Sequence, residues 1–350
     1  MRKVTVSVLL LATVFLSWNT GAFAKDKLKV VGSIPDFAAV AKEIGGDLVE
    51  VTSIAKGNQD PHFVLPKPSY ALMLRDADLF ITTGLDLELW APTLIDKARN
   101  PKIVEGAVGY VAASAGLKLL EVPTRGVDRS AGDIHLYGNP HIQTSPINIK
   151  KVAENILIGL QKVDPEHADF YQRRYERFVA RIDSAMYGPE LVQLIGSQTL
   201  DQMTINGTLI DFLKTQEIDG QKLIDKLGGW LKAGLPFRGE KIISYHKNWE
   251  YFCRDFGLQI VDFVEPKPGI PPTAKHVKKV IDEIKQYNIR LMLVANYFEK
   301  HTPKKIEART GVKAVFLPIS VGGEPGVNTV FDLYDLWIRR INEALGNTQS

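Results

Sequence analysis

Cysteine is nearly absent: Cys253 is the only one in 350 residues. No internal disulfide can form, so a packed apolar core has to hold the fold. Cys253 stands among Tyr251, Phe252 and Phe256 and reads as a small buried hydrophobe, not a ligand. Long apolar runs are scarce too. Beyond the N-terminus no uninterrupted apolar stretch approaches about 20 residues, so no membrane span is expected there. Net charge is small, formally +3 and about +1 once Arg2 and Lys3 are set aside, which gives no sign of a nucleic-acid partner. No His-Glu-x-x-His pattern occurs, and no glutamate is placed by sequence as the general base of a zinc hydrolase.

The N-terminus is the exception to the polar rule. Arg2 and Lys3 precede an apolar run from Val4 to Trp18, followed by the small-residue site Ala22-Phe23-Ala24. That order reads as a cleaved secretory signal peptide over residues 1–24. The run is short for a membrane anchor, and no cysteine at the cleavage site offers a lipid attachment. A periplasmic protein is expected.

The first half alternates short apolar runs with helical patterns. Strands are expected at Leu28–Val31, Leu48–Ile54, Leu79–Thr82 and Lys102–Val104, and helices at Phe37–Ile44, Ser69–Arg75 and Leu87–Ala98. The second half repeats the pattern, with strands at Ile242–Tyr245, Leu258–Phe263, Leu291–Ala295 and Ala314–Leu317. Helices are expected there at Trp249–Phe256, Val277–Tyr287, Pro303–Arg309 and Val330–Leu345. Such alternation argues for α/β lobes with mainly parallel sheets. Between them, Ile147 to about Met186 is almost unbroken helical pattern, with Asp164 as a cap and Pro165 starting a long second helix. A stiff linking helix is therefore expected. The division is an N-terminal lobe over 25–145, a helical region over 146–188 and a C-terminal lobe over 189–350. The stretch near 190–240 stands apart, with helical pattern only at Leu209–Leu213 and Leu223–Leu231.

Three of the seven histidines stand just past a strand end or just before a helix. His62 follows Asp60-Pro61, His141 sits in a loop rich in Gly, Asn and Pro ahead of a helix, and His246 follows a strand directly. A lone loop histidine is usually a surface residue, but three in matching positions, two in one lobe and one in the other, suit a metal held between lobes. Neutral imidazoles bind zinc, copper, nickel and iron. His135 is ambiguous: it can support the ligands, capture the ion, or lie on the loop surface. His167 reads as exposed or capping, and His276 and His301 as surface residues.

At this point the chain resembles the zinc/manganese-type metal-binding proteins that serve ABC importers. The matching pieces are Asp60-Pro61-His62 with Pro66, Gly132-Asp133-Ile134-His135 with Gly138-Asn139-Pro140-His141, and His246 ahead of an aromatic helix. Asn296-Tyr297-Phe298 and Pro318-Ile319-Ser320-Val321-Gly322-Gly323 match as well, so the resemblance runs from about Leu28 to Leu345. It implies two α/β lobes, metal in the cleft between them, His62, His141 and His246 as ligands, and a membrane ABC permease as partner for a chain expected to be a monomer. Two departures stand out. Many members carry a carboxylate ligand where this chain has Ile319, which leaves the fourth ligand among water, Glu324, Asp60 and His135, with water or a nearby carboxylate favoured. The loss favours Zn²⁺ over Mn²⁺, because manganese prefers oxygen-rich sites. The segment near 190–240 looks like extra sequence, and the long His-rich loop of some zinc members is absent. Binding is expected to weaken as pH falls through the histidine range. The competing readings are a zinc-dependent hydrolase and a binding protein for a metal chelate.

Overall fold

A computed structural model describes residues 27–123, 135–265 and 269–347. The expected signal peptide, Gly132 to Ile134 and Pro266 to Pro268 lie outside the described residues. The first lobe is built on β1 (Leu28–Gly32), α1 (Pro35–Gly45), β2 (Val49–Ser53), α2 (Pro68–Arg75), β3 (Leu79–Thr82), α3 (Ala91–Ala98) and β4 (Tyr110–Ala112). Its four strands run parallel in the order β2-β1-β3-β4. Helices α4 (Pro146–Val163) and α5 (Ala168–Tyr187) follow, then α6 (Pro189–Ile195), α7 (Ser197–Ile205), α8 (Leu209–Thr215), the small hairpin β5 (Glu217–Ile218) and β6 (Gln221–Lys222), and α9 (Gly229–Gly234). The second lobe holds β7 (Lys241–Ser244), α10 (Glu250–Phe256), β8 (Gln259–Phe263), α11 (Ala274–Gln286), β9 (Leu291–Ala295), α12 (His301–Thr310), β10 (Lys313–Leu317) and α13 (Val330–Leu345). Its strands are again all parallel, ordered β10-β9-β7-β8.

In both sheets the first strand has its successor on one side and the next strand of the chain on the other. That reversal opens a crevice beyond the carboxyl ends, beside β1 in one lobe and β7 in the other. The helix starts are fixed locally. Pro35, Pro68 and Pro146 occupy first-turn positions where their missing N–H costs nothing. Ser145 caps α4 through Asn148 N, and Thr329 and Asp332 form a reciprocal capping box on α13.

Helix α5 is the linking helix. It has 20 residues, about 30 Å of rise, and packs on α1 and α4 at one side and on α9 at the other. One continuous apolar core crosses between the lobes, from Phe37, Phe80 and Ile156 through Phe178 to Trp249, Phe252 and Trp337. A second cluster, with Ile243, Val280 and Met292, lies on the opposite face of the second sheet.

Some local expectations fail. Lys102–Val104 is not a strand: Pro101 opens a 3₁₀ turn over Pro101–Ile103, capped by Asn100, and the edge strand is β4 instead. Proline cannot donate to a ladder, so the apolar residues after it pack from a turn. Asp164 does not cap the second helix: its carboxylate accepts from Tyr171 Oη and pairs with His167 Nδ1, each at 2.7 Å. His167 is thus tied to Asp164 and neither caps nor stands free.

Candidate metal centre

Four histidines, His62, His135, His141 and His246, meet between the lobes. One ring nitrogen from each lies within 4.8 Å of those of the other three. All six ring-centroid separations fall between 5.2 and 6.3 Å. His135, His141 and His246 are buried, and the His62 side chain is only 4% exposed.

Each ring is brought there by a short stiff segment. His62 is in the 3₁₀ turn Pro61–Phe63, and Trp90 Nε1 fixes that turn by donating to Pro61 O at 2.8 Å. His141 precedes the 3₁₀ turn Ile142–Thr144 that leads into α4. His246 lies two residues past β7, at the crevice where that sheet reverses. His135 opens the described stretch that runs on to His141.

Three rings are held by their Nδ1 atoms. Asp60 Oδ1 accepts from His62 Nδ1 at 2.8 Å, Asn139 Oδ1 from His141 Nδ1 at 3.0 Å, and Glu265 Oε2 from His246 Nδ1 at 2.6 Å. The far nitrogens therefore carry the lone pairs that face one another. Nε2 of His135, His141 and His246 is buried with no hydrogen-bond partner among the described residues. A buried nitrogen without a partner costs about 1–3 kcal/mol, and three side by side need an explanation. A cation accepted by those lone pairs supplies one, with Asp60 and Glu265 as the outer groups that orient metal-binding imidazoles.

Electrostatics keep the rings in the ligating form. Burial, then the neighbouring charges of His62, His246 and Lys247, hold His135 down to about 2. Burial and the other three histidines push His141 well below its ordinary value. Proton competition at these two sets in below the ordinary histidine range. Asp60 is desolvated, but its bonds to His62 outweigh burial and keep its carboxyl below the usual carboxylate value.

The structure thus brings His62, His141 and His246 together, and it resolves His135 into the same group. Of the residues left open for the fourth position, His135 is the one that stands in the cluster. Glu324 is engaged by both Arg340 Nη atoms at 2.7 and 2.9 Å, and Asp60 holds His62 from behind. Ile319 lies fully buried in the apolar core. His276 Nε2 donates to Phe263 O at 2.7 Å, and His301 is exposed. Sequence reasoning missed Glu265, which reaches His246 from beyond β8 and carries no local signal. It also missed Asn139, whose signal was present: Asn139-Pro140-His141 repeats the form of Asp60-Pro61-His62.

Residues 30–186 and 220–344 match the model of a family described as ZnuA, zinc-uptake complex component A, periplasmic. The unmatched residues, 187–219, include α6, α7 and α8. The iron-binding protein YfeA of Yersinia pestis is 24% identical over 96% of this chain and 92% of its own. The manganese ABC transporter substrate-binding lipoprotein PsaA of Streptococcus pneumoniae is 22% identical over 89% of this chain and 88% of its own. A crystal structure of ZnuA superposes with a TM-score of 0.66 at 22% identity, covering 92% of this chain and all of that one, and so shares the fold. Among the described residues no helix is long and apolar enough to cross a membrane. The family consists of solute-binding proteins and not enzymes, which removes the hydrolase reading. With most of its length matched, this chain belongs to the ZnuA family of metal-binding substrate-binding proteins of ABC importers.

Proposed function

We propose that the protein captures Zn²⁺ in the periplasm through His62, His135, His141 and His246 and delivers it to a membrane ABC permease. The observation that carries this reading is the convergence of four imidazole nitrogens, three of them buried and without a hydrogen-bond partner among the described residues. Relatives bear names for zinc, iron and manganese, so the choice among metals comes from the donor set. Four neutral nitrogens with no carboxylate in the group suit tetrahedral zinc and disfavour oxygen-seeking manganese. Asp60 and Glu265 behind the rings offset a charge of 2+. Nitrogens within 4.8 Å of one another leave space for a bare ion, not for a chelate. The N-terminal signal pattern supports export, and the chain is proposed to work as a monomer.

Calorimetric titration of chelator-stripped protein is the test. Zinc is expected to bind 1:1 and more tightly than manganese, and each His→Ala variant at 62, 135, 141 or 246 is expected to lose at least tenfold in affinity. Unchanged affinity in His135→Ala would return the fourth position to another group. Unchanged affinity in all four would end the reading.

A further inference from the structure

The two Pro-His turns present their rings by the same device. In each, the residue two before the histidine turns its Oδ1 back to accept both from the histidine backbone N, at 3.0 Å, and from its Nδ1. They differ in one group. Position 60 is a carboxylate, whereas position 139 is an amide, which has a second end able to donate.

That second end is used across the cleft. Asn139 Nδ2 donates to Lys247 O at 3.0 Å, the carbonyl directly after His246, and to Glu121 Oε2 at 2.9 Å. Glu121 pairs with Lys247 Nζ at 2.5 Å, and Tyr251 Oη donates to Asn139 O at 2.7 Å. Asn139, Glu121 and His141 belong to the first lobe, and Lys247, Tyr251 and His246 to the second. One fully buried side chain therefore orients a ring from one lobe and grips the backbone beside a ring from the other. An aspartate could do the first task but not the second: it has no N–H for Lys247 O, and it would stand against Glu121.

We infer that Asn139 is a positioning residue that couples retention of the ion to closure of the two lobes, through its amide N–H and not through its grip on His141. The inference rests on the proposed metal site. Asn139→Asp preserves an acceptor for His141 while deleting the cross-lobe donor, and Asn139→Ala deletes both. The Asn139→Asp/Glu121→Gln double variant removes the added repulsion against Glu121 and keeps the donor missing.

The experiment loads each protein with one equivalent of Zn²⁺ and follows its loss to an excess of a chromogenic chelator. His141 nitrogen shifts in the metal-free proteins report which ring nitrogen carries the proton. Asn139→Asp and the double variant are expected to release zinc about ten- to a hundredfold faster than the parent, the range typical of outer groups around a metal. Both are expected to keep the His141 proton on Nδ1. Asn139→Ala is expected to lose the tautomer as well. A double variant that releases zinc at the parental rate would overturn the coupling, and so would one whose faster release is accompanied by a changed His141 tautomer. If the parent itself fails to take up one equivalent, the metal-site reading has failed instead.

Discussion

At the residue scale, burial decides the state of several groups where the two lobes meet. Asp36, in the first turn of α1, is one outside the histidine cluster. It is wholly buried, accepts from Val321 N at 3.3 Å, and among the described residues its Oδ2 has no hydrogen-bond partner. Burial, against weaker opposition from Ser320 and Val321, pushes its carboxyl up to about 6 from 3.8. A carboxyl raised on folding binds its proton more tightly in the folded chain. Its contribution to stability is thus full below about 4 and is lost as pH rises through about 6. Asp36→Asn is therefore expected to raise the unfolding temperature at pH 8 and to leave it nearly unchanged at pH 4. The gain at high pH has an upper bound of about 3 kcal/mol, from the shift at 1.36 kcal/mol per unit. Calorimetry across that range checks it, and an equal gain at both pH values would contradict it. Residues of this kind are hard to read from sequence. His62, His141 and His246 were legible because each adjoins a strand end or a helix start, whereas Asp36 and Glu265 owe their state to partners 285 and 19 positions away.

At the element scale, strand and helix kinds followed the apolar periodicity closely. Leu291–Ala295 and Val330–Leu345 form as the pattern predicts them. Errors fell where proline or glycine punctuates an apolar run. Pro101 turned an expected strand into a 3₁₀ turn, and Pro92, near the helix start, goes with a helix that begins at Ala91 and not at Leu87. Gly228 and Gly229 split Leu223–Leu231 into a 3₁₀ turn and the short α9. The loops that touch across the two lobes were the least legible, because close approach has no periodicity. Gly57 is the sharpest case. A Cβ there would lie 2.3 Å from Val321 O and 2.4 Å from Gly322 C and Gly323 N, all backbone of the other lobe. Gly57→Ala is expected to force that seam apart and to cost about 1–3 kcal/mol, the range for overpacking. Thermal unfolding checks this, and an unchanged midpoint would show that the seam yields freely.

At the scale of the whole molecule, the lobes share one core, the 20-residue helix α5, and buried cross-lobe bonds such as Tyr334 Oη to Gln143 O at 2.7 Å. Such a seam resists wide opening, so metal uptake is expected to change the shape only modestly. Small-angle scattering with and without zinc should give radii of gyration that differ by no more than about 1 Å against an expected size near 20 Å. A larger change would mean that the seam opens as a hinge. The two-lobe architecture was legible from alternation alone, but the convergence of four rings was not, because it depends on how the two sheets face each other. That convergence is also what the account stands on. X-ray absorption at the zinc edge of the loaded protein addresses it directly. The expected result is a first shell of four imidazole nitrogens at about 2.0–2.1 Å, reduced to three in His135→Ala. A shell dominated by oxygen, or one that His135→Ala leaves intact, would contradict it.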